Sequence, residues 1–271
     1  MSEPISDLET LTFEVNDNIG LITLNRPDSK NALDLQMRTD LTKVILHVRE
    51  DQDIVALVIT GSGGSFCAGG DLKSLSEARR PTIVNRKRVQ DLHLWFRELV
   101  DLELPVIAAV DGPAFGAGLN LALAADFIFA SPRARFCAVF GRIGLVPDLG
   151  GFFLLPRLVG LQAAKDIVFT ARTVEPEEAK SLGMIRDIVP HEDLVTHALA
   201  FAKQFANASR PAIGMAKTIL NKSSELDQRA LSEMENYAQA ICLETDYHHD
   251  AVARFLAKQP LAFNWDKEKI K

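Results

Sequence analysis

The chain contains 271 residues, 47% of them hydrophobic, which is enough for one large domain, or a domain with an appendage, around a sizeable core. Its net charge is −6 and its acidic and basic residues are interspersed, so no continuous basic face is expected for nucleic acid or an anionic membrane surface. Residues 1–9 are acidic and polar, and no apolar run reaches the length of a membrane span. We therefore expect a cytoplasmic globular protein with neither nucleic acid nor a membrane as its partner.

The cysteine and histidine residues do not form a metal-binding pattern. The three cysteines, Cys67, Cys137 and Cys242, include no CxxC pair, and their odd number argues against a disulfide framework. The six histidines form neither an HxH nor an HExxH arrangement. We expect no metal, and we interpret the cysteines as ordinary buried thiols.

The first half of the chain alternates strand-like and helix-like segments. It opens with a predicted hairpin, residues 11–15 and 20–24, whose connecting Asn and Asp residues tolerate tight turns. Apolar runs predict further strands at 54–60, 106–110 and 127–130. Helices are predicted from Asn31 or Asp34 to about Val48, from Asp71 for a short distance, at 83–102 and at 118–125. This alternation predicts an α/β chain with mostly parallel strands.

From Pro147 onward, helical patterns dominate. Helices are predicted at 151–158, 163–170, 176–182, 193–206 and from Pro211 to Leu256, with one strand signal at 185–189. A helical appendage rich in Ala, Leu and Ile either packs against another subunit or packs back on its own core. The residues alone leave these two alternatives open.

Two glycine-rich turns follow predicted strands: residues 65–71, with the sequence SFCAGGD, and residues 112–118, with the sequence GPAFGAG. Neither turn fits a dinucleotide or nucleoside triphosphate site, because the second is not GxGxxG and the first lacks the GK[ST] ending of a phosphate loop. Glycines can simply permit tight turns, but each turn here opens a predicted helix whose N-terminal amides are free. Fixed backbone N–H groups stabilise a carbonyl oxygen that gains negative charge. The pair therefore predicts an oxyanion hole.

With these turns the sequence resembles a known family. Residues 66–72 and 108–118 are similar to the two signature segments of the crotonase, or enoyl-CoA hydratase/isomerase, superfamily. The resemblance covers essentially the whole chain and continues through segments 25–33, 144–160, 179–184 and 255–258. Gln259 departs from the pattern, because a second basic residue is common at that position.

The resemblance implies a fold and an assembly. It implies a spiral core of repeated strand-strand-helix units at residues 1–208 and a C-terminal helical trimerisation region at 209–271, in a homotrimer or a dimer of trimers. The substrate would be an acyl-CoA, which is a coenzyme A thioester, and no separate cofactor is expected. The N–H groups of Gly70 and Ala117 would form the oxyanion hole.

Very few side chains decide which reaction a member of this family catalyses. The resemblance places the two glutamates of the hydratases at Asn120 and Phe140 of this chain, and neither side chain can transfer a proton. Adding water across a double bond needs one group to activate the water and one to deliver a proton to carbon, so standard hydration is disfavoured. Asn120 either orients the ligand or packs with a satisfied amide.

Asp148 is a candidate for proton transfer by a different mechanism. It lies between Pro147 and Leu149 in an apolar segment, where desolvation raises the pKa of a carboxyl group and lets it accept and return a proton. Without the resemblance, a cap for a helix beginning near Gly150 is the favoured interpretation. Segment 145–151 resembles the branch of the enoyl-CoA isomerases and the ring-epoxide phenylacetyl-CoA isomerase, which implies a proton shuttle. We therefore expect an enoyl-CoA isomerase in which Asp148 carries a proton from C2 to C4.

The resemblance also implies a coenzyme A site. Its expected residues are Ser29, Lys30 and Ala32 near the adenine and phosphates, Ala68, Asp71 and Leu72 at the entry, Asn120 and Phe140 near the acyl group, and Phe255 and Lys258 from a neighbouring subunit. Simpler interpretations exist for three of them: Lys30 as a solvated charge, Phe255 as a core residue and Asp71 as a helix cap. The competing functions are a hydratase that uses Asp148 alone, another acyl-CoA reaction that uses the same oxyanion hole, and a non-catalytic acyl-CoA-binding or trimeric scaffold protein.

Overall fold

Two β-sheets organise the chain in the computed structural model, which describes residue 5 and residues 7–72 and 79–265. The strands are β1 Leu11–Asn16, β2 Ile19–Leu24, β3 Ala56–Gly61, β4 Val106–Val110, β5 Pro113–Phe115, β6 Phe127–Ala130, β7 Arg135–Cys137, β8 Thr173–Val174 and β9 Asp187–Ile188. The larger sheet has the order β1-β2-β3-β4-β6-β9, with β1 antiparallel to β2 and the other neighbours parallel. The predicted opening hairpin and mostly parallel sheet are confirmed.

Helices cover the sheet and make up most of the C-terminal region. They are α1 Leu35–Glu50, α2 Thr82–Val100, α3 Ala117–Leu123, α4 Gly151–Thr170, α5 Pro176–Ser181, α6 Leu194–Lys203, α7 Arg210–Lys222, α8 Gln228–Leu243 and α9 Asp246–Leu256. Asp34 caps α1, because its Oδ1 accepts the Met37 N–H at 2.8 Å, so Asp34 rather than Asn31 is the cap. The short helix predicted from Asp71 falls mostly outside the described residues.

The predicted helix from Pro211 to Leu256 is three helices, and its prediction as one run was wrong. Asp227 and Thr245 each accept a backbone N–H at a new N-terminus, from Ala230 at 2.9 Å and from His248 at 3.2 Å. These side-chain caps satisfy amides that a continuous helix would have bonded internally, so they divide the run into α7, α8 and α9.

The larger sheet is buried on both faces, as the continuous apolar run of β3 predicts. Leu57 and Ile59 belong to the core shared with α1 and α2, whereas the alternate residues Ala56 and Val58 belong to a second core against α6. In α6, Phe201 packs edge-on against Phe129 of β6, with ring centroids 5.0 Å apart. The sheet is therefore the middle layer of three.

The smaller sheet was not predicted from the sequence. Its order is β5-β7-β8, with β5 parallel to β7 and β7 antiparallel to β8. The second glycine turn, expected to be a loop throughout, contains β5 at its centre. A three-residue strand with Pro at its first position carries almost no periodic signal, so local pattern could not reveal it.

The described part of the chain contains no helix long and apolar enough to cross a membrane. Over the same residues, no group of three or more His, Cys, Asp or Glu side chains is placed to hold a metal ion.

Gly112, just after β4, packs closely against the chain that leads into the first glycine turn. Its φ is 67°, and a Cβ at this position would lie 2.1 Å from the Gly64 carbonyl oxygen. Gly144 is a matched control, because its φ is 70° but a Cβ there would meet no atom within 4 Å. We expect Gly144→Ala to lower the free energy of unfolding by about 1 kcal/mol through left-handed backbone strain. Gly112→Ala should lower it by about 3 kcal/mol, because steric overlap is added.

Urea denaturation followed by circular dichroism measures both changes. Equal losses in the two variants would contradict the close packing of the turns.

Candidate active site

The two glycine turns are joined by backbone hydrogen bonds. The Cys67 N–H donates to the Pro113 carbonyl and the Phe115 N–H donates to the Cys67 carbonyl, both at 2.9 Å. The first turn is held on its other side too, because the Leu33 N–H donates to the Gly69 carbonyl at 2.7 Å. The first turn therefore lies between the segment before α1 and strand β5, and it has little freedom to move.

This bonding fixes the direction of the Gly70 N–H. The Gly69 carbonyl and the Gly70 N–H belong to one trans peptide unit, so they point in opposite directions. Since the carbonyl points at Leu33, the N–H points away from it. In the second turn, the Gly116 carbonyl accepts the Asn120 N–H at 3.1 Å, so the Ala117 N–H points out of the N-terminus of α3. Neither N–H has a backbone acceptor among the described residues.

Gly69 allows the two turns to approach closely. A Cβ at this residue would lie 2.6 Å from the Phe115 carbonyl oxygen and 3.5 Å from the Ala117 nitrogen, and its φ is 99°. The peptide unit that carries the Gly70 N–H is thus next to the Ala117 nitrogen. The first turn at Gly69 therefore packs directly against the start of α3, where the second predicted donor lies.

Asn120 connects this pair of donors to Asp148. It lies three residues after Ala117, hence on the same face of α3 and about one turn further along. Its buried Nδ2 donates to the Asp148 backbone carbonyl at 2.7 Å, and the Gly151 N–H donates to the same oxygen at 2.9 Å. Asn120 therefore uses its amide nitrogen within the protein, and it holds the main chain at Asp148 next to the second turn.

The Asp148 side chain has the properties of a proton-transfer group rather than of a helix cap. The N-cap of α4 is Gly150, which no side chain caps, so the alternative interpretation of Asp148 as a cap is wrong. Its Oδ1 is buried without a hydrogen-bond partner. Burial raises the pKa of the Asp148 carboxyl, while the charges of His93 and Arg38 lower it.

Arg38 and His93 were not recognised as site residues from the sequence. Arg38 lies on the inner face of α1, three residues before Leu41 and seven before Ile45, which are both fully buried. His93 lies three residues before Phe96 on α2, and the Phe96 ring lies against Gly150, two residues after Asp148. The helical spacing was the available signal, but an Arg or His beside apolar residues is usually a surface residue.

The residues expected near coenzyme A lie around the first turn. Lys30 and Leu72 are exposed, Ser29, Ala68 and Asp71 are partly buried, and Ala32 is buried. Arg26, which the sequence interpretation did not assign, connects these segments: its Nη2 lies 3.0 Å from Asp34 and 3.4 Å from Asp71. The Ala68 N–H donates to the Lys30 carbonyl at 2.9 Å. The predicted entry residues and the predicted phosphate residues are therefore neighbours in space.

Three other predicted residues are divided between the site and the surface. Phe140 is buried and packs against Gly116 of the second turn, so it lies at the predicted site. Phe255 is 70% exposed at the end of α9. It is not a core residue of the single chain, so that interpretation was wrong. Lys258 is also exposed.

Cys67, in the first turn, is not a nucleophile. Burial raises the pKa of its thiol to about 12, so the thiolate is not formed near neutral pH.

Comparison with known proteins identifies a family to which the chain is similar. Residues 14–267 match the sequence profile described as enoyl-CoA hydratase/isomerase. A probable enoyl-CoA hydratase of Mycobacterium bovis is 33% identical over 257 residues, covering 94% of this chain and 98% of the relative. The 1,2-epoxyphenylacetyl-CoA isomerase of Escherichia coli is 30% identical over 258 residues, covering 94% and 98%.

A solved structure extends the similarity to the fold. The enoyl-CoA hydratase/isomerase of Cupriavidus metallidurans has a TM-score of 0.89 and 39% sequence identity. The match covers 96% of this chain and 98% of the solved one. The described helices and sheets therefore have the arrangement of the crotonase fold, C-terminal helices included.

The raised pKa of Asp148 predicts a pH-dependent cost to stability. The carboxyl has a higher pKa in the folded than in the unfolded chain, so its protonated form stabilises the fold. This contribution to stability is lost as the pH rises through the pKa of the folded chain. Asp148→Asn stays neutral, so we expect the variant to be more stable than wild type at neutral pH. The difference in stability between variant and wild type should disappear below pH 3.8, the ordinary pKa of the aspartate in the unfolded chain.

Thermal unfolding across a pH series measures this difference, with the exposed Asp101→Asn as control. A variant that is less stable than wild type at neutral pH would contradict the burial of an unpartnered carboxylate.

Proposed function

This chain belongs to the enoyl-CoA hydratase/isomerase family, and on that premise we propose that it is an enoyl-CoA double-bond isomerase in which Asp148 is the single proton carrier. The observation that carries the proposal is Asp148, whose buried Oδ1 has no hydrogen-bond partner and whose main chain is bound by Asn120, one helical turn along α3 from Ala117 of the predicted oxyanion hole. A group with this environment can take up a proton and return it without help from a second acid.

The proposed reaction moves one proton between two carbons. The carboxylate of Asp148 removes a proton from C2 of a 3-enoyl-CoA, and the electron pair passes into the thioester to give a dienolate. The N–H groups of Gly70 and Ala117 stabilise the resulting negative oxygen. Protonated Asp148 then returns the proton to C4, which moves the double bond to C2–C3 and restores the carboxylate. Coenzyme A is part of the substrate, and the cycle consumes neither an electron carrier nor a metal, so no cofactor is proposed.

Hydration is the second candidate, because relatives such as those of Mycobacterium bovis and Clostridium acetobutylicum carry hydratase names. Two side chains weigh against it here. Asn120 uses its amide on the Asp148 carbonyl, and Phe140 is an apolar ring packed on the second turn. With neither position ionisable, the pair of carboxylates that the family resemblance assigns to hydration is missing, which leaves Asp148 to act on a water molecule.

Asp148→Asn separates the two reactions. We expect wild type to convert 3-hexenoyl-CoA into 2-hexenoyl-CoA, and Asp148→Asn to lower kcat by roughly 10²- to 10⁴-fold, the usual contribution of a proton-transfer group. The products are identified by chromatography and mass spectrometry. With a substrate deuterated at C2, part of the label should reappear at C4, because a single buried carboxyl returns the proton that it has taken.

Asp101→Asn is the control, since this exposed aspartate ends α2 away from the site. Robust addition of water to 2-hexenoyl-CoA by wild type that survives Asp148→Asn would overturn the isomerase assignment. Tight binding of both thioesters without any turnover would instead favour a non-catalytic acyl-CoA-binding protein.

We also propose that the chain works as a homotrimer or a dimer of trimers formed through its last helices. No residue of α8 or α9 is buried, although both helices are amphipathic. Their exposed large apolar residues are Tyr237, Ile241, Leu243, Tyr247, Val252, Phe255 and Leu256. Exposed apolar side chains in this number on two successive helices are typical of a subunit interface. A neighbour bound there would bring its Phe255 and Lys258 towards the coenzyme A site, as the family resemblance implies.

Size-exclusion chromatography with light scattering tests the assembly. We expect wild type to have three or six times the chain mass of 29.8 kDa, and the double variant Ile241→Arg, Leu256→Arg to dissociate, because two buried charges would face an apolar partner. Val15→Arg, on the partly exposed edge strand β1, should keep the wild-type mass. A monomeric wild type would contradict the proposal.

A further inference from the structure

The chain directly after Asp148 forms a left-handed turn. Leu149 has a φ of 40° and Gly150 a φ of 72°, and the Gly151 N–H closes the turn by donating to the Asp148 carbonyl at 2.9 Å. Two central residues with positive φ are typical of a type I′ turn, in which Gly, Asn and Asp are the usual residues. Leucine is strained there, because a left-handed backbone brings its Cβ too close to the following carbonyl oxygen. Such strain persists only where the surrounding structure compensates for it.

The core compensates for the strain at Leu149. Its side chain is 1% exposed and belongs to the main hydrophobic core. Full burial of a leucine side chain stabilises a fold by at least as much as one left-handed residue destabilises it. The rest of the turn is closely packed: a Cβ on Gly150 would lie 2.8 Å from the Phe96 ring, and one on Gly151 would lie 2.7 Å from the Asn120 Nδ2. Tertiary contacts, rather than local preference, therefore hold the turn in its left-handed form.

The same residues have an unstrained alternative. With right-handed helical φ at residues 149 and 150, α4 would begin two residues earlier and Asp148 would become its N-cap. Aspartate is among the best N-cap residues, and its carboxylate would then accept the N–H of Gly150 or Gly151. In the structure, α4 instead begins at Gly151 without a side-chain cap, and the Asp148 Oδ1 has no partner. The left-handed turn therefore excludes the cap that the residues around Asp148 would otherwise favour.

The two conformations differ in what the Asp148 carboxyl can do. A carboxylate that accepts N–H groups at a helix N-terminus is stabilised in its ionised form, so its pKa falls. In the left-handed turn, burial instead raises the pKa of Asp148, against the charges of His93 and Arg38. Those two charges belong to α2 and α1, outside the turn, whereas the turn changes the hydrogen bonding of the carboxyl itself. The handedness of the turn therefore decides whether this carboxyl is free or is used as a cap.

We propose that Leu149 is a positioning residue: by anchoring the left-handed turn in the core, it keeps Asp148 from capping α4 and leaves the carboxyl free to transfer a proton. The inference rests on the proposed function for the role of Asp148, but the conformation of the turn does not depend on turnover. Leu149 acts through Asp148 alone.

Leu149→Ala and Leu149→Asn form a matched pair, because both remove the buried apolar side chain but differ in backbone preference. Alanine has the highest helix propensity, whereas Asn before Gly is the strongest signal for a type I′ turn. We expect Leu149→Ala to lower kcat for 3-hexenoyl-CoA roughly tenfold to a hundredfold with little change in KM, which is part of the contribution of a proton-transfer group. Leu149→Asn should lose less kcat, although its buried amide destabilises the fold more.

Leu155→Ala is the control for lost core packing, because Leu155 is buried on the same helix, α4. We expect this variant to be less stable than wild type and to keep the wild-type kcat.

Thermal unfolding across a pH series reports the state of the turn without turnover. In the wild-type background, Asp148→Asn should raise the stability at neutral pH, because it removes a buried carboxylate whose Oδ1 has no partner. The same increase should persist in the Leu149→Asn background. It should disappear in the Leu149→Ala background, where the carboxylate has the N–H groups of α4 as partners. A leucine that only fills the core would leave the increase equal in all three backgrounds.

Two results overturn the inference while the isomerase function stands. One is a loss of kcat in Leu149→Asn that equals or exceeds the loss in Leu149→Ala, since the side chain would then matter only for packing. The other is an equal effect of Asp148→Asn on stability in the two variant backgrounds. Absence of isomerisation by wild type would refute the proposed function alone, because the stability series still reports the turn.

A second variant replaces Leu149→Ala if that chain does not fold. Gly150→Ala also disfavours the left-handed turn, because it adds a Cβ at a φ of 72°, and it should lower kcat and abolish the stabilising effect of Asp148→Asn in the same way. A crystal structure of wild type with a negative φ at Leu149 and with Asp148 capping α4 would overturn the inference without any variant.

Discussion

The site depends on two backbone hydrogen bonds, those that join Cys67 to Pro113 and to Phe115. They pair the first glycine turn with β5, and β5 in turn pairs with β7. Because the donors and acceptors are main-chain groups, the arrangement depends on the path of the chain more than on side-chain identity. The N–H groups of Gly70 and Ala117 are thereby held in place before any substrate binds, which is the condition for donors of an oxyanion hole to lower a barrier by roughly 3 kcal/mol each.

Helix α3 links these donors to Asp148, the proposed proton carrier. Its first N–H, that of Ala117, faces out of the helix, and Asn120, on the same face, holds the main chain at Asp148. A shift of α3 would move the donor and the base together, so their separation is protected. The side chain of Asp148 stays free because the anchoring falls on its backbone carbonyl. An anchored main chain and a carboxyl whose Oδ1 has no hydrogen-bond partner suit the proposed transfer of a proton between two carbons in succession.

The sequence predicted the fold well where its pattern repeats. Continuous apolar runs located β3, β4 and β6, and the alternation of helix and strand identified the parallel sheet. Strand β5 was missed because a strand of three residues is too short to show an alternating pattern. The divisions between α7, α8 and α9 were missed because each depends on a single capping side chain. In the site, motif similarity selected the segments that meet in space, but Arg38 and His93 belong to no motif. Their proximity to Asp148 arises from the packing of α1 on α2, which local sequence does not encode.

The charges around Asp148 bear on its proposed role as both base and acid. Burial alone would keep the group protonated and unable to start the reaction, whereas Arg38 and His93 alone would keep it ionised and reluctant to return the proton. The two effects oppose one another, and burial, the larger of them, leaves the pKa of Asp148 raised. A glutamate at position 120 or 140 would add a like charge and favour the neutral form further. The neutral side chains of Asn120 and Phe140 add no such charge. The pKa of Asp148 is therefore set by burial and by the basic residues on α1 and α2.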